Sequence, residues 1–237
     1  MNHPLDAFAK TYVINLASRA DRRAEMSKQL QRIGLQLQSE RVALFEAIRP
    51  FSAGGFPTLG AHGCFMSHLG VLRTARDEGL ESVLILEDDL NFSPDFMHRM
   101  PALSEQLVQQ PWAFFYGGYV LDQRLPATAR GWVPAAPEMP VVTTHFVAMH
   151  GSVIAPLVSY LEAILARPPG DPAGGPMHVD GAYNWFRREH PDARTWLAVP
   201  ELGHQRASRT DIHDLRWHDR LPVVRALAAW CRKARNA

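Results

Sequence analysis

Three consecutive carboxylates, Glu87, Asp88 and Asp89, follow four aliphatic residues in the stretch VLILEDDLNFSPDF, which begins at Val83. The aliphatic run is how a strand buried on both faces is written. Acids crowded at the mouth of such a strand repel one another and lose hydration, so something positive is expected there. Hard divalent cations take carboxylate oxygens, and cation binding is the chemistry this triplet suits. Helix capping is the plainer use of an acid. Here Ser93, Pro94 and Asp95 already read as a helix start, with an N-cap, a proline at the first position and a first-turn acid. The triplet comes too early for that work.

Other residues invite chemistry when taken with the acids. Asn15, Arg19, Arg22 and Arg23 fall on the turn and first helical turns after an early strand. A helix N-terminus favours anions and guanidinium groups add bidentate contacts to phosphate, although a solvated helix face is the simpler use of arginines. Gly117 and Gly118, after WAFFY, would let a ligand approach the backbone closely, or serve a plain turn. Asp180, in VDGAYNWF, heads an apolar helical stretch as either a cap or an acid–base group. His204 and Gln205 follow the strand TWLAVP; a lone histidine is ordinarily structural, so the case for His204 depends on its company.

Absences narrow the field. An apolar strand ending in acids also describes a nucleotide hydrolase, but no GxxxxGK[ST] loop occurs. Phosphatases and response regulators that use a first-strand acid are disfavoured because TYVINL carries none. Neither HExxH nor CxxC offers a zinc site. What remains natural is a metal held by mid-chain strand-end acids against the diphosphate of a nucleotide donor.

The elements that must position these residues alternate. Strands are expected at 11–16 (TYVINL), 39–45 (SERVALF), SVLILED, WAFFYGG and the stretch opening TTHFVAM. Helices are expected from Ser18 to Gly34, from HGCFMSH to about Arg76, over PDFMHRMPALSEQL with a break at Pro101, and over SVIAPLVSYLEAILA. That order predicts an open, Rossmann-like α/β sheet with ligands at the carboxyl ends of its strands. Residues 122–140 and 167–176 are rich in Pro and Gly and read as irregular, the second as a candidate mobile lid.

Composition bounds the rest. With 237 residues, 46% of them hydrophobic, the chain can bury a full core. A net charge of +1 argues against bulk binding to nucleic acid. Cys64 and Cys231 are the two cysteines and make no disulfide framework, which fits a reducing compartment. The polar N-terminus reads as no signal peptide, and no stretch approaches the roughly 20 apolar residues of a membrane span. A cytoplasmic protein is expected.

Three ordered blocks, VINLASRADRR (13–23), GCFMSHLGVLRTA (63–75) and VLILEDDLNFSPDF (83–96), resemble glycosyltransferase family 25, which includes lipopolysaccharide and lipooligosaccharide galactosyltransferases. VDGAYNWF and PELGHQRASRTDI resemble its later segments, whereas His62, Arg209-Thr210 and HFVAMHGSVIAP depart from the family's pattern. The resemblance implies a GT-A fold and inverting, Mn²⁺-dependent transfer of a sugar, most often galactose from UDP-galactose, to a glycan such as the lipopolysaccharide core. Other UDP-sugars such as UDP-glucose, or a non-catalytic nucleotide-sugar or glycan binder, are the alternatives. Under it Glu87, Asp89 and His204 hold the metal. Asn15, Arg19, Arg22, His68, Asp88, Gly117 and Gly118 serve the donor, and Asp180 is the base.

The expected division is a transferase domain over 1–215 and a basic helix over 216–237. From Glu201 onward eight Arg/Lys face four acids, beside Leu221, Val224, Leu227, Ala228 and Trp230. Such a helix suits either docking on the domain or peripheral contact with anionic lipid on the inner membrane face.

Overall fold

The computed structural model describes residues 3–206. The basic helix expected over 216–237, with its membrane contact, lies outside these residues. Among the described residues no helix is long and apolar enough to cross a membrane.

Seven strands form one open sheet in the order β2-β1-β3-β7-β5-β8-β6. Strands β1 (Lys10–Asn15), β2 (Val42–Glu46) and β3 (Ser82–Glu87) run parallel, joined by helices α1 (Ala20–Arg32) and α2 (Leu59–Asp77). Strand β7 (Val142–His150) inserts antiparallel between β3 and β5 (Phe114–Val120), and β8 (Thr195–Val199) lies parallel to β5. Helices cover both faces of the sheet, so this is the expected open, Rossmann-like α/β architecture. A two-stranded ribbon of β4 (Leu90–Phe92) and β9 (Gly203–Gln205) stands apart from the main sheet.

Alternation along the strands sorts the core into two layers. Tyr12, Ile14, Val83 and Ile85 pack with α2, α4 (Gly151–Ala166) and α5 (Val179–Glu189). Val13, Leu84 and Leu86 pack on the other face with α1 and α3 (Phe96–Gln109). Leu84 and Ile85 are 0% exposed, which is why β3 must be apolar on both faces.

Several boundaries differ from the sequence reading. The cap of α1 is Arg19 rather than Ser18, and α2 begins earlier, at Leu59, with Thr58 accepting the Ala61 N–H. Helix α3 starts after Asp95, not at Ser93, and runs through Pro101 without a break. Strand β5 continues through Gly117 and Gly118 to Val120, so the glycines lie inside it rather than in a turn after it. Within 122–140, residues Gly131–Ala135 form β6, an edge strand paired to β8. Pro134 is tolerated there because an edge leaves one side of the strand without a ladder. The 167–176 segment is tied down: Arg167 bonds the Ala173 and Gly174 carbonyls, and Asp171 caps the Ala173 N–H at 2.8 Å.

One buried cation fixes α5 against this edge. Arg187, 1% exposed, donates to Thr195 Oγ1, to Asn184 Oδ1 and to the carbonyls of Ala136 and Met139. Arg187→Leu takes the donor from those part-buried carbonyls and from the buried Thr195 hydroxyl. We expect a loss of about 3 kcal/mol or more in urea unfolding, and a loss below about 1 kcal/mol would remove this anchor from the account.

Candidate active site

Strand order reverses around β1: β2 lies on one side and β3 on the other, so a crevice opens at their carboxyl ends. Asn15 ends β1 and Glu87 ends β3, with Asp88 and Asp89 in the turn before β4. Because β7 runs antiparallel to β3, its first residues, not its last, arrive beside these acids. Leu86 pairs with Phe146, which brings Thr144 and His145 alongside the triplet.

The three carboxylates have three different environments. Asp88 accepts from Asn15 Nδ2 at 2.6 Å and from Arg22 Nη1 at 3.0 Å, tying the end of β1 and the first turns of α1 to the acidic turn. Asn15 Nδ2 also donates to the Arg19 carbonyl. Asn15, Arg22 and Asp88 are all buried. Burial raises the Asp88 carboxyl even so, with Arg22 and Asn15 opposing it.

Glu87 accepts from Thr144 Oγ1 at 2.7 Å, and His68 Nε2 approaches it at 3.5 Å. Burial pushes its carboxyl up, but His68, Thr144 and His145 outweigh burial and hold it low. The 3.5 Å separation makes the histidine an electrostatic neighbour rather than a good hydrogen-bond donor. Asp89 has less support. Its Oδ2 lies 3.3 Å from the Gln205 amide and 3.6 Å from Arg22, and its Oδ1 is buried without a hydrogen-bond partner. Burial and the adjoining Glu87 charge push its carboxyl up to about 7. A half-satisfied buried acid beside an ionised one is a donor set suited to a divalent cation, since the ion supplies the charge that both lack.

The remaining candidates spread around this turn. Asp180 sits in the first turn of α5, half-buried, with His178 as the cap residue. It accepts from the N–H groups of Thr143 at 3.0 Å and Gly181 at 2.7 Å. Arg19 pairs with Asp21 on the surface side of α1. His68 is 0% exposed, its Nδ1 3.1 Å from the Tyr183 hydroxyl, so it faces Glu87 from within the protein rather than opening on the crevice. Gly117 and Gly118 provide internal clearance: a Cβ at Gly117 would meet the Phe146 ring at 2.8 Å. One at Gly118 would meet His145 Nε2 at 2.3 Å and the Gly203 carbonyl at 2.6 Å.

His204 stands apart. It pairs with Asn91 in the β4–β9 ribbon and is exposed. Alternation turns its neighbour Gln205, not His204, toward Asp89. Among the described residues the metal-ligating atoms that converge are Cys64, His68 and Glu87, without Asp89 or His204.

Sequence reasoning missed the contribution of β7. Thr143 has a φ of 70°, a left-handed conformation that a β-branched residue rarely adopts, while its N–H binds Asp180 and its hydroxyl lies 3.0 Å from His145 Nδ1. The polar triplet Thr143-Thr144-His145 opening an otherwise apolar strand was the available signal.

Residues 8–124 match the family model described as glycosyltransferase family 25 (LPS biosynthesis protein). Procollagen galactosyltransferase 1 of Danio rerio is 30% identical over 129 residues, 47% of this chain and 21% of that protein. Procollagen galactosyltransferase 2 of Mus musculus is 31% identical over 130 residues, again 47% and 21%. The probable inactive glycosyltransferase 25 family member 3 of Bos taurus is 30% identical over 129 residues, 47% of this chain and 22% of that protein. The chain thus spans about a fifth of the length of the curated relatives it matches. Among solved structures, a glycosyltransferase involved in the glycosylation of the major capsid of PBCV-1 aligns with a TM-score of 0.40 at 12% identity. That alignment covers 85% of this chain and 93% of the other.

The Asp89 environment predicts a pH effect on stability. With a carboxyl at about 7 in the folded protein, against 3.8 in an unfolded chain, the native state holds a proton that the unfolded state releases. This group's contribution is therefore full below about pH 4 and lost as pH rises through 7. In chelator, Asp89→Asn should gain thermal stability relative to wild type across that window. A difference that stays flat from pH 5 to 8 would contradict the assigned environment.

Proposed function

Residues 8–124 belong to glycosyltransferase family 25, and from that premise we propose that the protein transfers a sugar from a nucleotide diphosphate donor to a glycan acceptor. The observation that carries the reading is the acidic turn after β3. Two carboxylates, the partly buried Glu87 and the buried Asp89, lie there at a sheet switch point, and Asp89 has an unpartnered oxygen among the described residues. The galactosyltransferase names of two relatives favour UDP-galactose as donor. The family's description favours a lipopolysaccharide-type acceptor. We take the transfer to invert the anomeric configuration and to need a divalent ion, Mn²⁺ by preference.

Within this reading Glu87 and Asp89 would hold the ion. When bound, it supplies positive charge against the donor diphosphate as the leaving group departs. Asp88, Asn15 and Arg22 act as a positioning clamp that keeps the turn in place. Thr144 orients Glu87 and Gln205 orients Asp89. Arg19, more open than Arg22, is the guanidinium of this set best placed to reach a phosphate. Asp180 takes the acceptor hydroxyl proton, its carboxylate held at a fixed angle by the Thr143 and Gly181 N–H groups.

The inactive relative, which matches 47% of this chain, supports a second reading, a non-catalytic binder of the same nucleotide sugar. Hydrolysis of UDP-sugars by the purified protein, with and without Mn²⁺, separates the two. Turnover of UDP-galactose with Mn²⁺ is expected. Donor binding without turnover of any UDP-sugar would favour the binder.

Two substitutions then test the roles. Asp89→Asn should preserve the fold and abolish transfer; activity within a few-fold of wild type at saturating Mn²⁺ would sink the metal assignment. Asp180→Asn should lower kcat by about 10²–10⁴ with donor affinity unchanged. If Asp180 only supports the first turn of α5, turnover stays near wild type and the base must be sought elsewhere.

A further inference from the structure

Two residues beside the acidic turn, Cys64 and His68, have no part in the reading above. Cys64 and His68 lie four residues apart in α2 and so share a face of that helix. That face meets the end of β3. The ligating atoms of Cys64, His68 and Glu87 lie within 4.8 Å of one another.

The histidine is prepared for a further partner. Its ring is 0% exposed, Nδ1 lies 3.1 Å from the Tyr183 hydroxyl, and buried Nε2 makes no hydrogen bond. A buried ring nitrogen without a partner costs free energy unless something fills that position. A hydroxyl on the far nitrogen fixes the tautomer and aims the other lone pair, the arrangement found behind metal-bound imidazoles. Cys64 is only partly buried, and Glu87 retains some exposure, so an ion has a way in. Burial first, and then the Glu87, Asp180 and Asp89 carboxylates, push the Cys64 thiol up, and a cation at this position is what would offset that negative surrounding.

We propose that Cys64, His68 and Glu87 form a second cation site that takes Zn²⁺ or another thiophilic divalent ion. Sulfur, imidazole and carboxylate are the donors such ions select, whereas the oxygen-rich EDD turn suits a harder ion. Coordination replaces the thiol proton with the metal, the proton leaving to solvent. Thiolate and carboxylate then balance the ion's two charges, and a fourth position stays open for water. Glu87 is common to both sites, so the two ions compete for one carboxylate. That competition rests on the reading proposed above; binding at the second site does not.

Cobalt(II) is a direct probe, because a thiolate–Co²⁺ bond produces a near-ultraviolet charge-transfer band and tetrahedral coordination strengthens the visible bands. Metal-free, reduced full-length protein titrated with Co²⁺ should show both at one equivalent, and Zn²⁺ should erase them. Cys64→Ser should remove the ultraviolet band with the far-ultraviolet circular dichroism unchanged. Tyr183→Phe, which keeps the ring but not the hydroxyl, should weaken Co²⁺ binding by about 10–100-fold. Absence of a thiolate band at millimolar Co²⁺ overturns the proposal. So does a band that survives in Cys64→Ser, since its source would be Cys231. No donor or turnover enters these measurements, so failure of the transferase reading leaves them standing, and their failure leaves the transferase reading untouched.

Discussion

Placing three carboxylates at the end of a strand with no exposed surface imposes an electrostatic cost that the surrounding structure must answer. Repulsion among adjacent acids grows as water is excluded, and no single cation within the turn relieves it. The answer is distributed. Asp88 is bound by Asn15 and Arg22, Glu87 by Thr144 with His68 nearby, and Asp89 has only Gln205 and a distant Arg22. The gradient runs from well satisfied to poorly satisfied across three adjacent residues. Full internal compensation would leave a ligand nothing to supply.

Topology makes this distribution possible. Parallel strands alone would bring only strand ends and helix starts to the crevice, as β1 and α1 do. Antiparallel insertion of β7 adds the beginning of a strand, and with it Thr143, Thr144 and His145. The cost is a left-handed Thr143, held by Asp180, and two glycines in β5 that clear space for Phe146 and His145. Backbone strain of this kind persists only where neighbours over-determine it, and here they connect the acidic turn to α5.

Much of this was legible in the chain. The unbroken run Val83–Leu86 announced a doubly buried strand, and the alternation of strands and helices announced the open α/β sheet. A cation-binding reading of the triplet Glu87-Asp88-Asp89 followed from residue type, as an expectation. Partnership was harder to read. Arg22 and Asp88 are both reasonable ligands for a donor in isolation, yet 66 residues of separation conceal that they bond each other. The family resemblance made His204 a metal ligand, but it is exposed in the ribbon, and alternation turns Gln205 toward Asp89. Pro134 marked an irregular segment and instead sits on an edge strand. Pro101 marked a break in α3 and instead lies within a continuous helix. In each case pattern fixed the element or the residue class, and long-range pairing decided the role.

The segment shared with the family has a physical boundary as well as a sequence one. Residues 8–124 contain β1, α1, α2, β3 and the acidic turn, hence the whole Asn15–Arg22–Asp88 clamp and the Cys64–His68–Glu87 group. Thr144, Asp180 and Gln205 lie beyond it. The likeness to galactosyltransferases therefore bears on how the end of β3 holds charge. It bears much less on the groups that enter from β7, α5 and β9. The Asn15–Arg22–Asp88 clamp lies wholly inside the matched segment, whereas Thr144 and Gln205, which bond Glu87 and Asp89, reach the turn from outside it. The acidic turn is therefore held half by the matched segment and half by strands that the match does not include.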